Sequence, residues 1–325
     1  MSMNYKEVPQ KILTEEATRY ARGIKSMSDL ADSLRRQGEL PERFSKPEAD
    51  ITQVEPDIEQ AASVIPDFYI KRPVEGLVLP SPDRLVVSAK TELKAYFGID
   101  FEVPVPPQDL FETLQNFAER DIRGLDEVYY QPGLLLTKDD KFWKPKGIVK
   151  PESYFWQNIE NGNFPQETAM LEEGWFIGDS RVKPMYDCGQ QRYGKDDYLE
   201  PLMAYLRGSN RIKKYSRVPD RSRAVVSPRE IEEIILPKFA VLSGTKGTVR
   251  NRRYMEFNVR GNIAHREYGQ TNTWEWFGDS VFPVARRLIG GSSVHGGLAF
   301  VHDHFVPYLI GITGFSPVVA FPSKP

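Results

Sequence analysis

Two histidines, His302 and His304, flank Asp303 near the carboxyl end of the chain, and His295 lies a few residues upstream. Imidazole and carboxylate are ordinary metal ligands, and positions i and i+2 of an extended segment share a face, so His302 and His304 could chelate one ion. The plainer reading is preferred: polar side chains set in an aromatic surface, with no metal and no cofactor. Ser292 and Ser293 lie close enough in sequence to suggest a nucleophile positioned by a histidine. No nucleophile-elbow pattern surrounds them, so hydrolysis is not expected. Cys188 is the single thiol and reads as a small, semi-buried packing residue.

A basic cluster, Arg207, Arg211, Lys213, Lys214, Arg217, Arg221 and Arg223, is opposed locally only by Asp220 and interleaved with Tyr215. Such a run could meet phosphates, but it is more often a solvated face or the complement of an acidic surface. Residues 151–200 carry 4 basic and 10 acidic side chains and residues 201–250 carry 11 and 4, so the acidic block is an in-chain partner for the basic one. Nucleic-acid binding is not expected. The run Gly244-Thr-Lys-Gly-Thr lacks the spacing of a phosphate loop and is set aside.

These candidates must be positioned by the rest of the chain. Its 325 residues suffice for about two domains with a buried core. With 43 basic against 45 acidic residues and a net charge of -2, no partner class is indicated by charge. One cysteine excludes an intrachain disulfide framework and suits assembly in a reducing cytosol. The opening ten residues are polar, without the apolar stretch of a signal peptide, and the most apolar run, residues 298–321, is broken by His302, Asp303 and His304. No membrane insertion is expected.

Residues 11–40 read as a helix: Ser28 caps a turn opening at Asp29, Leu30 and Leu34 share a face, and Gly38 suits the exit. Its apolar stripe is narrow, which suits packing on a partner chain. From 66 to 107, the prolines Pro66, Pro73, Pro80, Pro82, Pro104, Pro106 and Pro107 interrupt short apolar runs such as Arg84-Leu-Val-Val, predicting extended arms and edge strands. Residues 109–120 return to helical spacing through Leu110, Leu114 and Phe117. Residues 129–150 are strand-like around Leu134-Leu-Leu, and Asn161-Gly-Asn marks a loose boundary. Asp196 or Asp197 can cap a helix carrying Leu199, Leu202, Met203 and Leu206 and closed by Gly208. Ser227, Pro228 and Glu230 form the N-cap, N1 and N3 of a capping box leading into Ile231, Ile234 and Ile235. Beyond Arg250 the chain alternates Gly-rich turns with aromatic and β-branched segments, ending in the strand Ser316-Pro-Val-Val-Ala-Phe.

In the carboxyl third, Glu256-Phe-Asn-Val-Arg-Gly-Asn, Asn272-Thr-Trp-Glu-Trp, Arg287-Leu-Ile-Gly-Gly-Ser-Ser and Gly314-Phe-Ser-Pro-Val follow one another. Together they resemble the sulfatase-modifying-factor, or formylglycine-generating-enzyme-like, family, whose runs read approximately WEYAARG, GNVWEW, RVLRGGSW and GFRPV. Glu173-Gly-Trp-Phe-Ile-Gly looks like that family's opening strand. The resemblance covers about residues 165–325. Met255, Thr271, Ser293 and Ser316 stand where the family carries Trp, Gly, Trp and Arg. The matched residues are scaffold chemistry: Trp274 and Trp276 read as anchors on alternating sides of an extended segment, and Gly290-Gly291 as a place of close backbone approach.

The resemblance implies an α+β chain: a C-type-lectin-like domain at 161–325, preceded at 1–160 by a helical and Pro-rich extended region for attachment and oligomerisation. The family's copper chemistry uses a pair of carboxyl-terminal cysteines that this chain lacks, and the iron-binding histidine domain of its ergothioneine-type relatives has no counterpart among His265, His295, His302 and His304. No enzymatic activity is therefore expected. The family also includes phage tropism determinants, in which the stretch between the paired glycines and the final strand presents variable side chains. Here that stretch, residues 292–312, offers His295, Phe300, His302, Asp303, His304, Phe305 and Tyr308 as ligand-binding candidates. Phe300 and Phe305 are also candidates for the core. The expected function is a non-enzymatic virion structural protein of a tailed phage, a receptor-binding or decoration subunit assembled in the host cytoplasm. Its expected partners are other virion subunits, a host surface glycan or protein, and copies of itself, a trimer by analogy. The alternatives are a metal-dependent enzyme of the same family using His302 and His304, and an assembly scaffold.

Overall fold

The computed structural model describes residues 69–193, 196–281, 286–306 and 311–322. Residues 65–325 form one compact unit. The helix expected at 11–40 lies outside the described residues.

The first helix, α1 (Pro82–Phe97), occupies a segment whose prolines suggest an arm. Pro82 and Ser81 sit at its entrance, where a missing N–H costs nothing, and Gly98 leaves it at φ 74 with its N–H on the Lys94 carbonyl. Ala89, Leu93 and Tyr96 supply the buried stripe. The expected edge strands at Arg84-Leu-Val-Val are thus corrected to helix, because proline at N1 starts a helix as readily as it ends one. Helix α2 (Gln108–Glu119) follows the spacing of Leu110, Thr113 and Phe117.

Strand β1 (Leu125–Gln131) then enters a four-stranded antiparallel sheet of order β1-β4-β10-β5, in which β4 is Gly174–Asp179, β10 is Pro317–Pro322 and β5 is Thr248–Asn251. The chain's final strand is central: Val319 faces Ile177 on one side and Val249 on the other. Between β1 and β4 lie the short pair β2 (Leu134–Leu135) and β3 (Met170–Leu171) and helix α3 (Ser153–Glu160). Tyr129 of β1 is opposite Phe176 of β4, so this sheet joins residues on both sides of the boundary expected near 160.

Helix α4 (Glu200–Gly208) buries Leu202, Met203 and Leu206. Asp197 sits just before it and accepts the Leu199 amide at 3.0 Å. Ser227 and Glu230 close the capping box in both directions, opening a helical run, α5, of an α-turn (Pro228–Glu230), a π-helical segment (Ile231–Ile235) and an α-helix (Leu236–Ser243). Gly244 ends it in the left-handed region. Helix α6 (Tyr254–Ile263) stands where turns and strands were expected. Its residues from Tyr254 to Asn262 are all buried, so it lacks the one-sided periodicity that marks a surface helix.

The second four-stranded sheet has the order β8-β7-β6-β9, with β6 Trp274–Val281, β7 Arg286–Gly290, β8 Val301–Phe305 and β9 Thr313–Phe315. Trp276 lies opposite Ile289 of β7 and Phe315 of the parallel β9. These three belong to one hydrophobic cluster, with Ile231, Ile235 and Phe239 of α5, whereas Phe277, Leu288 and Val301 join Tyr254 and Phe257 of α6 in another. The sheet is buried on both faces. No helix among the described residues is long and apolar enough to cross a membrane.

Candidate functional site

The four motif segments meet around this second sheet. At Gly290 a Cβ would stand 2.2 Å from the Phe300 carbonyl oxygen, and at Gly291, φ +80, it would meet the Lys183 ammonium at 2.8 Å, so the paired glycines do permit close approach. Trp274 and Trp276, being i and i+2, share a face and a hydrophobic cluster; the expectation of alternating sides is corrected by the period of two. Trp276 is fully buried and donates its indole N–H to the Val226 carbonyl at 3.0 Å, while Trp274 is half-buried.

The loop between the paired glycines and β8 is tied down by backbone bonds. Ser293 N–H donates to Thr271 O at 2.7 Å, Gly297 N–H to Ser292 O at 2.9 Å and Gly291 N–H to Phe300 O at 3.1 Å. From that loop the exposed His295 stacks on the half-buried Phe300 (4.9 Å between ring centres, 28°) and meets Trp274 edge-on at 5.3 Å. Its Nδ1 lies 3.3 Å from Ser292 Oγ. Here two members of the expected ligand surface, His295 and Phe300, reach solvent together with Trp274, which was read as a scaffold anchor. A cleft of about 370 Å³ opens beside the loop, bounded by Arg266, Gln270, Ser293, Gly296 and Gly297.

The remaining candidates are distributed differently along β8. His302 stacks on Tyr154 of α3 at 4.9 Å and 10°, and its Nδ1 contacts the Asp303 carbonyl at 2.9 Å. Asp303 is buried, accepts the Tyr154 hydroxyl at 2.6 Å and pairs with Arg286. That guanidinium also lies over the Phe305 ring at 4.0 Å, leaving Phe305 8% exposed. Asp303 and Phe305 thus serve the fold rather than a ligand surface. His304 is half-buried, and burial, with the nearby His302 charge, lowers its pKa to about 4. Tyr308 lies outside the described residues. Among the described residues, no group of three or more His, Cys, Asp or Glu side chains could hold a metal ion.

Several buried ionic groups underpin the frame. Arg223, expected on a basic surface, is wholly buried: it donates from Nε to Asp197 Oδ2 at 2.8 Å and from Nη1 to Asp179 Oδ2 at 2.5 Å, between the rings of Tyr193 and Tyr198. Arg207, also wholly buried, donates Nη1 to the Ser222 and Asp220 carbonyls at 2.6 and 3.0 Å and Nη2 to Ala224 at 2.8 Å. The acidic block does face the basic one, through Asp179, Asp197 and Glu200. Burial of this kind is why a run of arginines is a poor marker of a nucleic-acid surface. Cys188 is exposed at φ 46, not semi-buried.

Lys183 is the residue that sequence reasoning missed. It is 1% exposed and donates from Nζ to Gly291 O at 2.7 Å and Thr273 O at 3.0 Å, joining two of the motif segments. Desolvation lowers its pKa to about 7, Glu275 opposing and Arg252 reinforcing the shift. A neutral amine keeps two N–H donors for the two carbonyls. Nothing in the sequence around Lys183 distinguishes it from a surface lysine. Tyr154, likewise unmarked in sequence, reaches β8 from α3.

Comparison with known proteins finds no match: no family model, no curated protein and no solved structure corresponds to the chain.

Proposed function

We propose that this protein is a non-enzymatic binding subunit: a lectin-like frame, centred on residues 161–325 and completed by β1 and α3 from before them, that presents the loop following the paired glycines, in the setting of a tailed-phage virion. The observation that carries the reading is the convergence of Trp274, Gly290 and Phe315 in one sheet, with an aromatic cluster standing at its rim. A frame buried on both faces and pinned by Lys183 holds the loop without the entropy loss that a flexible loop would suffer on binding. Trp274 and Phe300 supply apolar ring area and His295 a polar tip, the composition that suits a glycan face or a protein loop. The virion setting rests on the motif resemblance to phage tropism determinants, and so does self-association into a trimer. The host surface glycan or protein is the proposed ligand and other virion subunits are the proposed neighbours.

The test is binding of the full chain to glycan arrays and to bacterial cells, compared with His295→Ala/Phe300→Ala. Specific binding lost in the double variant, with folding unchanged by circular dichroism, is expected. Binding undiminished in that variant, or stoichiometric copper or iron in protein purified without chelators, would overturn the proposal.

A further inference from the structure

The cleft of about 370 Å³ beside the His295 loop has a single charged side chain in its lining, Arg266, and no acidic one. Arg266 opens the short 3-10 turn Arg266–Gly269 that follows α6, and it is exposed. Its guanidinium lies against the backbone of Gly147, where a Cβ would stand 3.2 Å from Nη1. Among the described residues no carboxylate pairs with it. Glu267, its neighbour in sequence, is held by His265 Nδ1 at 3.0 Å, and Glu127 is taken by Arg260 and, at 2.9 Å, by His265 Nε2. Lys146, next to Gly147, is exposed and likewise has no carboxylate partner among the described residues.

The polar side chains of the wall divide into spent and available ones. Asn262 is spent: its Oδ1 accepts the Val149 N–H at 2.7 Å, and its Nδ2 donates to the Val149 and Asn258 carbonyls at 2.9 and 3.0 Å. Gln270 and Ser293 are exposed, and within the described residues neither the amide nor the hydroxyl is hydrogen-bonded. A ligand in the cleft therefore meets a guanidinium fork, an amide and a hydroxyl, all open to solvent. The volume is at the lower end of the roughly 300–1,000 Å³ of small-molecule sites. A guanidinium fork matches a carboxylate through two parallel hydrogen bonds, and the amide and hydroxyl match sugar hydroxyls.

The loop that lends Ser293, Gly296 and Gly297 to the cleft also carries His295, stacked on Phe300, so a polar cleft and an aromatic surface adjoin. A sugar ring uses both, its C–H face on the rings and its polar groups in the cleft. An extended peptide would need free main-chain groups instead. The N–H groups of Ser293, His295 and Gly297 are already donated, to Thr271 O at 2.7 Å and to Ser292 O at 3.1 and 2.9 Å.

We propose that the cleft at Arg266 seats the carboxylate of an acidic sugar, which makes the ligand of the His295 loop a carboxylated glycan. The inference rests on the reading of that loop as a glycan-binding surface and adds the charge and the anchoring residue.

The full chain tests it on an array printed with sialyllactose, hyaluronan and alginate oligosaccharides, each beside its carboxyl-reduced counterpart, together with lactose and a polyglutamate peptide. Binding to carboxylated saccharides is expected, weakened about ten-fold or more by carboxyl reduction and by Arg266→Gln. Arg266→Lys, which keeps the charge and loses the fork, is expected to fall between Arg266→Gln and the wild type. Because Arg266 is exposed and unpaired, both variants are expected to melt at the wild-type temperature. Binding confined to neutral saccharides, indifferent to carboxyl reduction or undiminished in Arg266→Gln would overturn the acidic-sugar assignment and leave the loop reading standing, provided that His295→Ala/Phe300→Ala still abolishes it. Preference for polyglutamate over every saccharide would assign the cleft to an acidic peptide and overturn the proposal. No binding to any saccharide would overturn both readings.

Discussion

Lys183 shows how much of this molecule turns on single buried side chains. Its ammonium is out of water, with two carbonyls and a nearby carboxylate in place of hydration, and its pKa falls from 10.5 to about 7. The folded chain therefore gives up a proton near pH 7 that the unfolded chain holds until about pH 10.4, so this residue makes stability rise with pH across that window. Unfolding midpoints in urea, measured from pH 7 to 10, are expected to climb more steeply in the wild type than in Lys183→Met. The difference in slope is at most about 1.4 kcal/mol per pH unit. Parallel profiles would show that the lysine is ionised in the fold. His304 acts in the same sense in its own, more acidic window. Its pKa is lowered to about 4, so the folded chain resists a proton that the unfolded chain takes up near pH 6.5, and stability drains away between those values on acidification. His304→Phe is expected to flatten the acid limb between pH 6.5 and 4, read as a smaller loss of melting temperature than in the wild type.

At the scale of elements, the helix entrances separate what is local from what is not. The capping box at Ser227 and Glu230 is visible in sequence because both partners lie within one turn, and Ser227→Ala is expected to lower stability by about 1 kcal/mol in denaturant titration. Helix α6 has the local half of such a box, Glu256 accepting the Arg253 N–H at 2.8 Å, but adds an acceptor that no local reading reveals: Asp279 of β6 takes the Tyr254 N–H at 2.7 Å. Burial raises the pKa of Asp279 to about 6, so its ionised form is penalised above that pH. Asp279→Asn keeps the acceptor and removes the penalty. It is expected to stabilise the chain at pH 7.5 by up to about 3 kcal/mol, by about half of that at pH 5, and to gain little below about pH 4. The same contrast explains which elements were legible. The strands at Gly174 and Pro317, helix α2 and the paired glycines follow from short-range pattern and backbone sterics. Helix α1 was obscured by prolines that mark its entrance, and α6 by burial all round. The candidate site was legible only in part. His295 and Phe300 fall where the motif order puts them, but Asp303 and Phe305 are claimed by Arg286 and Tyr154, partners 17 and 149 residues from Asp303.

For the whole molecule, the decisive fact is that sheets, not stretches of sequence, define the folding unit. β10, the last strand, lies between β4 and β5, and β4 in turn pairs with β1, from residues 125–131. A division at residue 160 would leave β4 without β1 and expose Phe176, which stacks on Tyr129 at 5.5 Å and 13°. It would also strip Tyr154 from Asp303 and His302, and Trp156 and Phe155 from the cluster around α6. The compact unit at residues 65–325 keeps all of these. A chain beginning at residue 65 is therefore expected to unfold in one cooperative transition with a midpoint close to that of the full protein. A chain beginning at residue 161 is expected to show no cooperative transition and to bind a hydrophobic dye, since β4, turned from an interior into an edge strand, and an open aromatic core cannot be covered by what remains. Cooperative unfolding of residues 161–325 alone, seen by both calorimetry and near-ultraviolet circular dichroism, would mean that β1 and α3 are additions to an autonomous domain rather than parts of its core.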